Sequence, residues 1–252
     1  MPRLSVITAA YAPQAQHLTA TADSMRAQRL PEGWDLEWLV QEDGPNPALA
    51  EPLADLPFVR YAANGVSCGT AATRNIALTR ATGALVQVLD HDDVLLPGAL
   101  TDLITVFTKE PTVRWAFARA GEIDESGPRE PHRAGIPVGL VPKGTVGVLD
   151  DASGVWSICC AGLMAGIDVV RALGGWVATP RSEDVGLLVA LAEVADGYSL
   201  DQVTWYYRRH ANQTHLTDSW RAKEQLGRTL VEQRLDAVRK SGLRLSADTP
   251  LW

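Results

Sequence analysis

Between Leu4 and Phe107 the chain alternates apolar runs of strand length with stretches of helical periodicity, and this alternation restricts the fold more than any other feature. Leu4 to Ala10 is an apolar run closed by Tyr11 and Pro13, which suits a strand buried on both faces. Leu18, Thr21, Ala22 and Met25 recur at helical spacing until Pro31-Glu32-Gly33 stops the helix. Leu36 to Val40 predicts a second strand, which runs into the turn Gln41-Glu42-Asp43-Gly44-Pro45. Phe58 to Ala62 predicts a third, followed by a loop with Asn64, Gly65 and Gly69 and a helix over 71–81. Ala84 to Leu89 predicts a fourth, ending in Asp90-His91-Asp92-Asp93. Pro97 is tolerated in a first helical turn, and Leu100, Leu103, Ile104 and Phe107 trace one face of the helix beyond it. The expected fold class is therefore α/β, with a mostly parallel central sheet and helices on both sides.

The second half is less regular. Val113 to Ala118 predicts a strand and Asp124 to Gly127 a turn. Residues 128–154 are rich in Gly and Pro without clear periodicity, so a long loop or lid is expected there. After Ser182-Glu183-Asp184 an apolar helix is expected over Val185 to Ala195. Gln202 to Arg208 alternates like a strand, with Val203, Trp205 and Tyr207 on one face. The spacing of Leu226, Leu230, Val231, Leu235 and Val238 predicts a C-terminal helix over 219–240.

In open α/β sheets ligands bind beyond the carboxyl ends of the strands. Three acidic turns lie at or near such ends: one with Asp43, one with Asp90 and Asp92, and one with Asp184. Carboxylates crowded at a strand end repel one another unless a cation joins them. Oxygen ligands select Mg²⁺, Mn²⁺ or Ca²⁺ over zinc. Asp90 and Asp92 are one residue apart, so on an extended backbone they point the same way and can share one ligand. The plainer alternative is that the cluster caps the helix beginning near Pro97, with Asp93 solvated. Capping needs one acid, and this turn has more than one.

Charge and cysteine usage narrow the partners. Of 252 residues 46% are hydrophobic, enough for a sizeable core, and the formal net charge of −7 argues against general affinity for nucleic-acid backbones. A single nucleotide stays open, because a divalent cation offsets local charge. No apolar run nears the roughly 20 residues of a transmembrane helix, and Met1 to Ala10 reads as a buried strand rather than a signal peptide. Cys159 and Cys160 are adjacent and Cys68 stands alone, so reduced thiols are expected and the cytoplasm is the expected location. Peripheral contact with the inner membrane face stays open, as does a homo-oligomer.

In order along the chain, these residues resemble the family-2 glycosyltransferases, whose GT-A (Rossmann-like) fold joins a nucleotide-binding α/β part to a less regular acceptor-binding half. Leu4 to Tyr11 looks like the family's first strand, whose end, at Thr8, Ala9, Ala10 and Tyr11, contacts the nucleotide. Ser24-Met25-Arg26-Ala27-Gln28 looks like its helix-end signature, and Val40-Gln41-Glu42-Asp43-Gly44 resembles the strand and Asp-Gly turn that read the base through Asp43. Gly69 with Ala72-Thr73-Arg74-Asn75 is similar to the donor-site motif that includes Arg74. Leu89-Asp90-His91-Asp92-Asp93 looks like the Asp-x-Asp motif, which implies Asp90 and His91 at the donor and Asp92 on the metal. Ser182-Glu183-Asp184 resembles the motif that carries the catalytic base, here Asp184. Tyr207-Arg208-Arg209-His210 resembles a late segment that approaches the diphosphate or the metal, implying Arg209 at the donor and His210 at the metal. Glu42, Pro45 and Gly174-Gly175-Trp176 depart from the family pattern on the base-reading and acceptor sides.

The resemblance implies an inverting transfer from a nucleotide-diphosphate sugar to an acceptor hydroxyl, with Mn²⁺ or Mg²⁺ as cofactor. Uridine is the base it implies, with thymidine and guanosine open. The acceptor, whether saccharide, lipid, protein or natural product, is left open. It divides the single GT-A domain into a donor part at 1–120, an acceptor and base part at 121–215, and a C-terminal helix and tail at 216–252.

Plainer uses exist for each residue. Asp43 can stabilise its own turn, Arg74 can form a structural ion pair, and Glu183-Asp184 can be first-turn acids. Arg208-Arg209 and His210 can be solvated. Trp156, Trp176 and Trp205 suit sugar stacking or core packing, and Cys159 and Cys160 suit burial as small apolar residues. A sugar nucleotidyltransferase is one rival, but Ala9 to Gln14 lacks the glycine-rich basic loop it needs. A non-catalytic sugar-nucleotide-binding protein is another. A Rossmann dehydrogenase lacks its G-x-G-x-x-G after the first strand.

Overall fold

The computed structural model describes residues 1–129, 136–147, 160–243, 245 and 251. Strand β1 (Arg3–Ala10) lies between β2 (Asp35–Glu42) and β4 (Leu85–Val88), parallel to both. Helices α1 (Leu18–Arg26), α2 (Thr70–Arg80) and α3 (Ala99–Lys109) occupy the stretches where the sequence has helical periodicity. The third expected strand is reduced to β3 (Ala62–Ala63) and an isolated bridge between Trp38 and Val59. This edge segment pairs on one side only, where the Trp38 N–H donates to the Phe58 carbonyl and the Arg60 N–H to the Trp38 carbonyl, both at 2.8 Å.

Beyond β4 the sheet is mixed. Strand β9 (Leu163–Gly166) runs antiparallel between β4 and β6 (Trp115–Asp124), and β10 (Gly197–Arg208) runs parallel to β6. The two-residue β5 (Val94–Leu95) pairs antiparallel with Trp205 and Tyr206 of β10. The order is therefore β3-β2-β1-β4-β9-β6-β10-β5, with β7 (Gly127–Arg129) on β6 and β8 (Gly139–Val141) on β10. This is an α/β fold whose first four strands, β1 to β4, pair in parallel.

Strand β8 corrects part of the loop expected over 128–154. Three residues starting at a glycine with φ of 105° carry no strand pattern of their own, and the partner residues 197–199 supply the pairing. Residues 130–135 and 148–154 lie outside the described residues, and the expectation of a lid falls largely on them.

Alternation along the strands makes two cores. Leu4, Val6, Leu85 and Leu89 face one side, beneath α1 and α3, with Trp38, Leu100, Ile104, Phe107 and Trp205. Ile7, Leu39, Val86 and Val88 face the other, with Trp115, Trp176, Leu187 and Leu191 beneath α2, α4 (Ile167–Ala172) and α5 (Glu183–Val194). Burying one such aliphatic side chain contributes about 1.5–3 kcal/mol. The expected C-terminal helix is broken at Ala222 and Lys223 into α6 (Asp218–Arg221) and α7 (Glu224–Ser241). Val231 and Leu235 of α7 pack on Val185 and Val189 of α5, whereas Leu226 and Leu230 are exposed. Gly227 is where α7 meets the chain before α5: a Cβ there would stand 2.8 Å from the Arg181 carbonyl oxygen. No helix among the described residues is long and apolar enough to cross a membrane.

Candidate active site

A cleft of about 510 Å³ opens over the carboxyl ends of β1, β2 and β4 and is walled on its far side by the start of α5, the end of β10 and the α6 segment. Ala9, Ala10, Tyr11, Asp43 and Gly69 form one end. Asp43 is already engaged there, because its carboxylate accepts hydrogen bonds from the Cys68 N–H at 2.6 Å, the Gly69 N–H at 2.9 Å and the Asn64 Nδ2 at 3.1 Å. Burial alone would raise its pKa, but these donors outweigh burial and hold the carboxyl below its ordinary value. Glu42, one residue earlier, is buried and accepts from the Ala48 and Leu49 amides and the Tyr61 hydroxyl, so it supports the loop rather than lining the cleft.

The Asp90–Asp93 turn occupies the middle. It does not cap a helix: α3 starts at Ala99 behind Gly98, and the first-turn Leu100 N–H donates to Gln28 Oε1 rather than to an acid of this turn. Asp93, which the capping alternative would leave solvated, is 1% exposed and accepts from the Arg208 N–H at 3.0 Å. Burial first, then repulsion from Asp90 and Asp92, pushes its pKa up. The Arg208 guanidinium donates from Nε to the Asp92 carbonyl at 2.8 Å, bracing the turn from behind. Because β5 follows the turn and pairs with β10, the turn is brought against the residues after β10, and Asp92 Oδ2 lies 3.0 Å from His210 Nε2. His210 Nδ1 is buried without a hydrogen-bond partner among the described residues. His91 also lines the cleft, with its Nδ1 3.3 Å from the Ala9 carbonyl.

Arg74 joins the two halves of the site. Its side chain is 4% exposed, and its guanidinium donates to Asp90 Oδ1 at 2.7 Å and to Glu183 Oε1 at 2.9 Å. Asp184 stands beside Glu183 at the start of α5 but borders a second, much smaller cavity with Cys160, Trp176 and Leu187 rather than the wall of the main cleft. Its Oδ1 accepts from the Val185 N–H at 2.8 Å. Burial raises the pKa of both acids, and the Arg74 charge opposes the shift.

Two expected donor residues lie away from the cleft. Thr8 is fully buried on the α1/α3 side of β1, donating to the Leu89 carbonyl at 2.6 Å and accepting from Trp38 Nε1 at 2.8 Å. Arg209 is drawn to Glu122 at 2.6 Å, because the β6–β10 register places Glu122 opposite Tyr207. Trp176 and Trp205 are core residues, and Trp156 and Cys159 lie outside the described residues. The aromatic residues in the far wall are Tyr207, His215 and Trp220, with Arg181 and Lys223 beside them. The Arg181 guanidinium sits 3.4 Å from the centre of the Trp220 ring. Sequence reasoning missed Trp220 and Lys223 as cleft residues because it placed them inside one continuous C-terminal helix over 219–240, and no local pattern marks the break at residues 222–223.

A cation fits at Asp92 and His210. The Asp92 carboxylate is an oxygen ligand of the kind Mn²⁺ and Mg²⁺ take, with His210 Nε2 beside it as a nitrogen ligand, and either ion would complete its shell with phosphate oxygens and water. Among the described residues no three His, Cys, Asp or Glu side chains converge to hold a metal by themselves.

Residues 5–166 match the family model described as glycosyl transferase family 2. The chain belongs to this family. The family-2 chain superposes on the crystal structure of Staphylococcus aureus TarS 1-349 in complex with UDP-GlcNAc with a TM-score of 0.69, at 14% identity, over 94% of this chain and 71% of that one. On the mannosyltransferase PcManGT from Pyrobaculum calidifontis, in complex with GDP-Man and Mn2+, the TM-score is 0.65 at 16% identity, over 94% of this chain and 64% of that one. These likenesses establish the GT-A fold. The uncharacterized protein y4gI of Sinorhizobium fredii is 30% identical over 132 residues, which are 51% of this chain. The family-2 chain spans 14% of the length of y4gI and 60% of the TarS 1-349 chain in a further crystal structure.

Proposed function

We propose that this chain transfers a glycosyl group from a nucleoside-diphosphate sugar, with uridine as the base, to an acceptor hydroxyl, inverting the anomeric centre. The observation that carries the reading is the Asp92–His210 contact, a carboxylate–imidazole pair in the middle of a cleft large enough for a sugar nucleotide. Tyr11 and the Asp43–Gly69 end would receive the base. Asp43, occupied by three donors, shapes that end and retains limited capacity to accept from the base. Asp90 would sit by the ribose, held by Arg74.

Asp92 and His210 would hold Mn²⁺ or Mg²⁺, which as a Lewis acid stabilises the departing diphosphate. The acceptor enters from the wall of Arg181, Trp220 and Lys223 and attacks the anomeric carbon from the face opposite the diphosphate. As the new C–O bond forms, the acceptor proton passes to a carboxylate at the start of α5. Of the two acids there, Glu183 lines the cleft but is ion-paired to Arg74, which makes it a weak proton acceptor; Asp184 has no ion pair among the described residues and would take the proton from the side of the smaller cavity behind that wall, and burial raises the pKa of both.

Thermal shift with UDP, dTDP and GDP plus Mn²⁺ identifies the base, since a ligand that binds the native state raises Tm. Turnover of the matching sugar nucleotide, with the product's anomeric configuration read by NMR, then tests the reaction. No metal-dependent stabilisation by any of the three would overturn the reading.

A further inference from the structure

Ser182 is the one non-glycine residue with positive φ among the described residues, at φ 65° and ψ 34°. A left-handed backbone is disfavoured for serine by contact of its Cβ with the carbonyl oxygen. Ser182 is the N-cap of α5, and its side chain makes no capping hydrogen bond among the described residues. The next residue is Glu183, whose carboxylate is fixed by a buried arginine from α2, and the one after is Asp184. The corner therefore sits between the chain that enters from Arg181 and the two acids, and the Arg74 clamp ties the first turn of α5 to Asp90 across the cleft.

We infer that Glu183 is a positioning residue rather than a second base: its ion pair with Arg74 holds the left-handed corner at Ser182 and so sets the direction in which Asp184 leaves the helix. The inference rests on the reading of Asp184 as proton acceptor. It explains why two adjacent acids are present where one proton is to be taken. The other arm of Arg74, on Asp90, ties that direction to the donor side of the cleft, so one buried guanidinium sets the spacing between the sugar donor and the base.

The decisive experiment is a double-mutant cycle between Glu183→Gln and Ser182→Gly. Gln keeps a neutral acceptor for Arg74, and glycine adopts the left-handed corner without steric conflict. Turnover is measured with whichever of UDP-glucose, UDP-N-acetylglucosamine or GDP-mannose the wild-type chain consumes with Mn²⁺, and amide hydrogen exchange over 182–186 is measured in parallel without substrate. Glu183→Gln should lower kcat by about a hundredfold, the scale of a misplaced reacting group, with KM for the donor unchanged, and should speed exchange in the first turn of α5. Adding Ser182→Gly should restore at least about a tenth of the wild-type kcat, a recovery of about tenfold, and slow the exchange again. A double variant no better than Glu183→Gln in either measurement overturns the inference, as does a loss that appears in KM. If Asp184→Asn is inactive while Glu183→Gln cannot be rescued, only this inference falls. If Asp184→Asn turns over normally, the assignment of the base falls with it.

Discussion

Asp92 and His210, 118 residues apart, meet at 3.0 Å because a two-residue strand after one pairs with the long strand before the other. Their meeting is a product of the β5–β10 pairing, with Arg208 reinforcing the turn from behind.

This pair should govern metal affinity. His210→Ala and Asp92→Asn are each expected to weaken Mn²⁺ binding in the presence of UDP by at least about tenfold, measured by electron paramagnetic resonance titration. EDTA should abolish turnover. Undiminished activity in a metal-free preparation would remove the cation from the reaction.

Asp184→Asn should cut transfer by about 10²–10⁴-fold, the usual range for a general base, with nucleotide binding close to that of the wild-type chain. Single-turnover kinetics and nucleotide titration on the same preparation separate the two effects. A variant that loses nucleotide binding instead would give Asp184 a structural part.

Asp43 is held below its ordinary pKa by donors from the 64–69 loop, so its contribution to stability has a defined sign with pH. It is fully present above the unfolded value of 3.8 and disappears as pH falls through the lower folded value. Asp43→Asn should therefore be less stable than the wild-type chain at neutral pH, and the gap between their urea midpoints should close in acid. A gap that does not change from pH 7 to pH 3 would contradict the hydrogen-bonded carboxylate.

Gly227→Ala brings a Cβ within 2.8 Å of the Arg181 carbonyl oxygen. Overpacking costs about 1–3 kcal/mol, and better helix propensity returns about 1, so the net loss is up to about 2 kcal/mol. In a chain of this size Tm falls by about 2–4 °C per kcal/mol. A raised Tm would mean that α7 does not bear on the Arg181 loop.

Much of the donor half was legible in the sequence because its signals are local. Apolar runs of strand length, the helix faces of α1 and α3, and the turn at Asp90–Asp93 each repeat within a few residues, so period and punctuation suffice. The irregular half resisted for a physical reason: β8 and β9 are three and four residues long, and each exists because a distant partner supplies its hydrogen bonds. Trp220 and Lys223 were invisible as cleft residues for the same reason, since the position of α6 depends on contacts such as that of Arg181 with Trp220.

The order of residues was sufficient for the α/β class, for acids at the carboxyl ends of strands, and for membership of a family read from several motifs in sequence. Which side chains share the cleft was settled by long-range pairing: Thr8 and Arg209 are drawn into contacts with Trp38 and Glu122, while His210, Trp220 and Lys223 are brought in from the far end of the chain. Periodicity acts over one or two turns of chain, whereas a site is made where strands and helices distant in sequence pack together, and that register is written in no single segment.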